Sequence, residues 1–246
     1  MKLIESFGAA GLDFDGTIAD TRAAMTQSRL ESFLSVAEEL ADERYALIDN
    51  SIHAEAHHHG SHAIEIIGWV MLQAGIITDF VSERDTVQHV VDRRNEIYWD
   101  KAQHGFDPVP GALETIRDLH DSLDGKITIV TTAPVQEEVI PYLKRHGLLD
   151  MFDPTIIVGR ESVTCLKPDP EAYNLALDRL DVTPDRFIAL EDAHAGVVSA
   201  RQAGIAEVVA LTTTHTSEQL ANFPPDQRPS RITPTHGDFQ KLFFTD

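Results

Sequence analysis

The sequence is poor in cysteine and in basic residues. Cys165 is its one cysteine, so neither an internal disulfide framework nor a multi-cysteine zinc site can form. Only 20 Lys and Arg stand against 40 Asp and Glu, and 20 minus 40 gives a formal charge of −20. Such a balance disfavours binding to nucleic acid and to anionic membrane surfaces, because both require clustered positive charge.

Long apolar runs are also missing. No stretch approaches the roughly 18 apolar residues that a membrane-spanning helix requires. The first residues lack the apolar region of a secretory signal, because Asp13 and Asp15 interrupt it. We therefore expect a cytoplasmic protein with no membrane or nucleic-acid partner, and we predict a monomer or a weak homodimer.

The second half of the chain alternates short apolar runs with helical patterns. The runs are too short for helices and do not alternate with polar residues, which is typical of strands buried on both faces of a parallel sheet. They are Ile127–Val130, Ile156–Val158, Phe187–Leu190 and Val208–Leu211. The helical patterns between them favour right-handed crossovers and an α/β fold.

The first half differs, because one strand near Ala9–Phe14 is followed by about 90 residues with no convincing strand. Helices are predicted near 21–40, 43–58, 61–75 and 82–103. This pattern predicts an all-helical cap domain at 21–106, inserted into a core made of 1–20 and 107–246. The proline-rich segment 222–236 is predicted to run over the surface before a last short helix.

Polar side chains follow the predicted strands or open the next helix. Asp13 and Asp15 end the first strand, Thr131 ends the second, and Lys167 opens a helix. Glu191-Asp192 ends a further strand. Each of these alone is typical of a turn or a helix cap. Together they converge, because the crevice of an open α/β sheet lies outside the carboxyl ends of its strands.

The chemistry of this set favours phosphoryl transfer. Four carboxylates near one point repel one another, and a hard divalent cation such as Mg2+ relieves the repulsion. Lys167 supplies a fixed positive charge, and Thr131 offers a hydroxyl group to phosphate oxygens. A carboxylate can also accept a phosphoryl group as nucleophile, while a second carboxyl group acts as general acid and base.

These segments resemble the four motifs of the haloacid dehalogenase superfamily, and most closely its β-phosphoglucomutase and phosphoglycolate-phosphatase-like branch. The matching segments are LDFDGTIAD, IVTTA, LKPDPEAY and ALEDAHAGV. The resemblance implies a Rossmann-like core with a helical cap and a phosphatase that uses Mg2+ on a small phosphorylated metabolite of sugar phosphate or phosphoglycolate type.

The resemblance also implies roles for particular residues. Asp13 would be the nucleophile that becomes an aspartyl-phosphate, and Asp15 the general acid and base. The metal ligands would be Asp13, Asp15, Glu191 and Asp192. The residues that bind substrate would be Thr131, Thr132 and Lys167, joined by His59 and His62 of the cap.

Three alternatives stay open at this point. A phosphomutase of the same branch carries a histidine early in its cap, whereas residues 21–26 read TRAAMT, which favours hydrolysis. A catalytically silent binding protein would have lost motif residues, yet Asp13, Asp15, Lys167 and Asp192 are present. His59 and His62 belong to a histidine-rich stretch that is equally typical of an exposed polar helix face.

Overall fold

The computed structural model describes residues 2–45, residue 48 and residues 63–245. The chain divides into two compact units, one made of Met1–Asp20 with Phe106–Asp246 and the other of Thr21–Gly105. The strands among the described residues all lie in the first unit and are β1 (Ala9–Leu12), β2 (Ile127–Ile129), β3 (Phe187–Glu191), β4 (Glu207–Ala210) and β5 (Arg231–Ile232). The described helices are α1 (Arg22–Leu40), α2 (Ala63–Gln73), α3 (Arg84–Ala102), α4 (Ala112–Ser122), α5 (Ile140–Arg145), α6 (Glu171–Leu180), α7 (His194–Gln202), α8 (Ser217–Asn222) and α9 (His236–Phe244).

The first unit is built on one parallel sheet in the order β2-β1-β3-β4-β5. Every residue of β1, β2 and β3 is buried, so these strands carry apolar side chains on both faces. The predicted class, an α/β fold with a parallel sheet, is therefore confirmed. β1 lies between β2 and β3, which brings three of the predicted strand ends to neighbouring positions on one edge.

Two apolar clusters cover the two faces of this sheet. Ala10 and Leu12 of β1 belong to one cluster with side chains of α4 and α9, whereas Ala9 belongs to the other with side chains of α6 and α7. Neighbouring residues of a strand point to opposite faces, so the helices form a layer on each side. Burial at this scale holds the strand ends in fixed positions.

The second unit consists of helices joined by turns, with no strand among its described residues. α3 packs against both α1 and α2, and the three helices share an apolar cluster that includes Phe33, Ile67 and Val90. The predicted helix at 43–58 and the histidines His59 and His62 lie outside the described residues. In the described ranges, none of the helices combines the length and the apolar character that crossing a bilayer demands.

The structure corrects two details of the sequence-based assignment. Ile156–Val158 is not a strand: Val158 makes one parallel bridge with Val130, because a turn precedes it and the 3-10 helix Arg160–Ser162 follows it. The tail contributes the edge strand β5 where a surface loop was predicted. β5 has two residues and pairs with β4 alone, so it forms the outer edge of the sheet. The segment Val135–Val139 forms a π-helical turn that leads into α5.

His236 ties the last helix to the turn that follows β1. Its Nε2 donates to the carbonyl oxygen of Thr17 at 2.8 Å, and its Nδ1 accepts from the hydroxyl group of Thr115 at 3.1 Å. Both ring nitrogens are therefore used in the neutral imidazole. Burial lowers the pKa of His236 below its ordinary value of 6.5, although the bond to Thr17 partly opposes this shift.

This environment predicts a pH dependence of stability. Above pH 6.5 the histidine is neutral in both folded and unfolded chains. As the pH falls below 6.5, the unfolded chain binds a proton that the folded chain resists, so the free energy of unfolding decreases. Urea unfolding between pH 7.5 and 5 is expected to show this loss in the native protein and a shallower slope in His236→Gln, whose amide can still donate to Thr17. The difference is at most about 1.4 kcal/mol per pH unit.

The matched control is His120→Asn, since His120 lies on α4 and is partly exposed. Its pH profile is expected to follow that of the native protein. Parallel profiles for all three proteins would show that His236 binds its proton equally well in the folded and unfolded chains, contrary to its buried contacts.

Candidate active site

Asp13 and the turn that follows it form one side of the site. The Asp13 amide donates to the carbonyl oxygen of Leu190 on β3 at 2.9 Å, so the residue continues the parallel ladder beyond β1. Gly16 follows with φ of +74°, and a β-carbon there would lie 2.1 Å from Oδ2 of Asp192. Glycine is required for both reasons, and it allows the turn to pass directly over that carboxylate.

Lys167 lies at the centre of the site with its ammonium group buried. Nζ donates to Oδ1 of Asp13 at 2.7 Å, to Oε1 of Glu191 at 2.7 Å and to the carbonyl oxygen of Val130 at 2.6 Å. These three acceptors use all three N–H groups of the ammonium. Burial lowers the pKa of Lys167, but the charges of Asp13 and Glu191 outweigh burial and raise it overall. The lysine therefore remains charged.

Glu191 is held on both sides of its carboxylate. Oε1 accepts from Lys167 and also from the hydroxyl group of Tyr173, at 2.5 Å. Tyr173 is fully buried on α6, and Lys167 Nζ lies 5.3 Å from the centre of its ring. On the other side, a β-carbon at Gly196 of α7 would lie 2.0 Å from Oε2 of Glu191. Glu191 thus connects Lys167 to two helices of the core.

Asp192 is buried and surrounded by hydroxyl groups. Its Oδ1 accepts from Thr17 at 3.4 Å, its Oδ2 accepts from Thr214, and the hydroxyl oxygen of Thr213 lies 3.2 Å from Oδ2. Thr213 also contacts the carbonyl oxygen of Gly16 at 2.6 Å. Burial and the nearby charge of Asp13 raise the pKa of Asp192, while the hydroxyl groups act in the opposite direction.

The acidic groups form one compact set of oxygen donors. One ligand atom from each of Asp13, Glu191 and Asp192 lies within 4.8 Å of the others, and all three residues are buried. Three carboxylates and one ammonium leave two formal negative charges inside the protein. Buried charge of one sign is costly unless a counter-ion is present. An all-oxygen set with excess negative charge suits a hard divalent cation.

The other predicted site residues lie around this cluster. Asp15 is half-buried in the turn after β1, where its backbone bridges to Ala19. Thr131 is buried next to Val130, and its hydroxyl oxygen accepts from the amide of Ala133 at 3.0 Å. Thr132 follows it and is half-buried. The structure thus joins Asp13, Lys167, Glu191 and Asp192 by proximity or direct contact, whereas the histidines His59 and His62 are outside the described residues.

Sequence reasoning missed Tyr173, Thr213 and Thr214. Tyr173 lies inside the PEAY segment, at a position on the buried face of α6. From the sequence it reads as an apolar core residue, so the contact of its hydroxyl group with Glu191 could not be predicted. Thr213 and Thr214 belong to TTTH after β4, a segment that reads as an ordinary polar loop. Its position at a strand end was the available signal, since β4 is the neighbour of β3 in the sheet.

Fold and site together define a class of parallel α/β proteins that carry a buried carboxylate–lysine cluster at the carboxyl edge of the sheet. Residues 12–210 match the family model of the haloacid dehalogenase-like hydrolases, and the chain belongs to that family. This confirms the resemblance that the four motifs indicated.

Three known proteins show how far the similarity extends. The validoxylamine A 7'-phosphate phosphatase of Streptomyces hygroscopicus subsp. limoneus is 37% identical over 113 residues, which cover 46% of this chain and only about half, 51%, of that protein. Pyrophosphatase PpaX of Halalkalibacterium halodurans is 27% identical over 87% of this chain and 88% of its own length. The crystal structure of CbbY from Rhodobacter sphaeroides in complex with phosphate has a TM-score of 0.66 at 21% identity, over 94% of this chain and 95% of that one, and shows the shared fold.

Proposed function

We propose that this protein is a Mg2+-dependent phosphatase that hydrolyses a small phosphorylated metabolite through an aspartyl-phosphate on Asp13. The observation that carries the proposal is the contact of Lys167 with Oδ1 of Asp13, beside two further buried carboxylates. This contact leaves Oδ2 of Asp13 as the atom for attack on phosphorus. The names of the two curated relatives, both phosphatases, support a phosphate ester or a phosphoanhydride as substrate.

The divalent ion is proposed to bind Asp13, Asp192, the backbone oxygen of Asp15 and, directly or through water, Glu191. When bound, Mg2+ neutralises charge on the transferring phosphoryl oxygens. Lys167 contributes a second positive charge that does not depend on the ion. Asp192 has hydroxyl partners but lies outside the direct contacts of Lys167, so its carboxylate has the strongest need for a cation.

The proposed reaction has two steps. In the first, Oδ2 of Asp13 forms a bond to phosphorus while the bond to the leaving oxygen breaks, and Asp15 gives that oxygen a proton. In the second, Asp15 takes a proton from water, the water oxygen bonds to phosphorus, and the Asp13–phosphorus bond breaks to release inorganic phosphate. Thr131, Thr132 and Lys167 are proposed to bind the phosphoryl oxygens during both steps.

The helical unit, with proposed bounds 21–106, is the proposed cap that selects the substrate, and His59 and His62 are proposed to contribute to it. The charge of −20 makes a small, locally neutralised phosphate more suitable than a polyanion. We further propose that the protein acts in the cytoplasm as a monomer or a weak homodimer.

Metal removal tests this proposal. We expect release of inorganic phosphate from at least one member of a panel that contains sugar phosphates, phosphoglycolate and pyrophosphate in the presence of Mg2+. Chelation with EDTA is expected to reduce turnover at least about 100-fold, and added Mg2+ to restore it, because two buried negative charges otherwise oppose the phosphate. Turnover that survives complete chelation would refute the role of the cation.

The same panel separates hydrolysis from the phosphomutase alternative. A hexose 1-phosphate supplied with a trace of the bisphosphate yields free phosphate if water is the acceptor. It yields the 6-phosphate with no free phosphate if a sugar hydroxyl group is the acceptor, and that result would replace the proposed hydrolase by a mutase.

A further inference from the structure

The loop that follows β4 reaches into the carboxylate cluster. We propose that Thr213 and Thr214 are positioning residues that fix the carboxylate of Asp192 for its divalent cation, an inference that rests on the proposed function. Neither threonine lies in the four sequence motifs. Both enter the site because β4 is paired with β3, the strand that carries Glu191 and leads into Asp192.

The backbone brings this loop to Asp192 by extending the sheet. The amide of Leu211 donates to the carbonyl oxygen of Glu191 at 2.8 Å, one residue past the last paired position of β4. From there the chain places Thr213 and Thr214 beside Oδ2 of Asp192. The backbone pairing of β4 with β3 therefore places the loop beside the carboxylate of Asp192, independently of the side-chain contacts.

The hydroxyl groups of Thr213 and Thr214 make different contacts. Thr214 donates to Oδ2 of Asp192, although the threonine itself is exposed and could bond to water instead. Thr213 lies 2.6 Å from the carbonyl oxygen of Gly16 and 3.2 Å from Oδ2, so it connects the turn after β1 to the same carboxylate oxygen. The loop thereby links the segment of Asp13 and Asp15 to Asp192.

These contacts determine the rotation of the carboxylate. The contact of Oδ1 with Thr17, at 3.4 Å, is at the outer limit of a hydrogen bond and holds the group weakly. A carboxylate offers about four lone-pair directions, so three hydroxyl contacts leave at least one for a metal ion. With Oδ2 fixed by the loop, the direction of the remaining lone pair is fixed as well. Partners of this kind change metal affinity by about 10- to 100-fold.

The test uses the full chain and four variants of the same loop. Thr213→Val and Thr214→Val remove the hydroxyl groups with little change in volume, and Thr214→Ser retains the hydroxyl group as a rescue. Thr212→Val is the matched control, because the Thr212 hydroxyl contacts the carbonyl oxygen of Pro234, away from Asp192. Binding of Mn2+ and of Mg2+ is measured by calorimetry without substrate, and the Mg2+ dependence of phosphate release is measured separately.

We expect Thr214→Val to weaken the binding of both ions about 10- to 100-fold. The half-saturating Mg2+ concentration for turnover is expected to rise by the same factor, while KM for substrate stays unchanged and kcat largely recovers at saturating Mg2+. Thr213→Val is expected to weaken ion binding and also to lower kcat, because it releases the Gly16 turn. Thr214→Ser and Thr212→Val are expected to behave as the native protein.

Two results would overturn different claims. If the native protein binds Mg2+ and releases phosphate but Thr213→Val and Thr214→Val have native ion affinity, the positioning role is wrong and the proposed function stands. If the native protein itself neither binds Mn2+ or Mg2+ nor turns over, the proposed function fails, and the positioning role fails with it.

Discussion

We expect Asp13→Asn to lose at least about 10⁴-fold in kcat while the protein remains folded. An amide cannot serve as the nucleophile, so no aspartyl-phosphate can form. The amide oxygen can still accept from Lys167, and the formal charge of the cluster changes from −2 to −1, which relieves repulsion. Activity and folding are therefore predicted to respond in opposite directions.

Turnover, thermal unfolding and mass spectrometry of the trapped phosphoenzyme measure these effects. Asp178→Asn is the matched control, since Asp178 is exposed on α6, and it is expected to keep native turnover. Native turnover by Asp13→Asn would exclude Asp13 as nucleophile. A phosphoenzyme formed on Asp15 in this variant would show that Asp15, and not Asp13, can act as the nucleophile.

Lys167→Met is expected to damage both stability and catalysis. Its removal leaves Asp13 and Glu191 buried without their cation, with three formal negative charges in the cluster. Breaking a buried pair in this way costs about 3–5 kcal/mol. For a chain of this size that corresponds to a decrease in Tm of roughly 10 °C. Loss of the charge that faces the phosphate is expected to lower kcat a further 10²- to 10³-fold when measured on the folded fraction.

The pH dependence distinguishes uncompensated charge from lost packing. Without Lys167, the carboxylates have raised pKa values in the folded state, so the folded chain binds protons more readily than the unfolded chain. Stability of the variant then falls as the pH rises, and its deficit against the native protein is larger at pH 8 than at pH 5.5. Lys144→Met, at an exposed position on α5, is the control and is expected to show no deficit. A pH-independent deficit in Lys167→Met would assign the loss to packing alone.

Sequence reasoning identified the fold class and the family because both depend on local signals. Buried runs such as Phe187–Leu190 predict strands, and acids that end such runs, together with a lysine that opens a helix, predict a site at the sheet edge. The convergence of Asp13, Lys167, Glu191 and Asp192 follows from parallel topology, and the structure places the three carboxylates together with the lysine among them. Their catalytic roles remain predictions.

The parts that sequence reasoning missed depend on long-range geometry. Thr214 meets Asp192 only because β4 pairs with β3 in one register, which no local pattern reports. Tyr173 was hidden by its burial on an apolar helix face. Ile156–Val158 has the composition of a strand, but a turn before it and a 3-10 helix after it limit it to one bridge. The two-residue strand β5 arises from pairing with β4 within a proline-rich segment.

The long separations along the chain within this cluster have a consequence for biosynthesis. Asp13 is 154 positions from Lys167, and Thr214 follows another 47 positions later. At ordinary rates of translation, Thr214 is therefore synthesised roughly 10 to 40 s after Asp13. For most of that interval β1 has been synthesised without β3, its neighbour in the finished sheet. The helical unit Thr21–Gly105 is compact by itself and can fold first. After the helical unit has folded, β1 stays without its neighbours until β2 and β3 are synthesised, and an unpaired apolar strand is prone to aggregation.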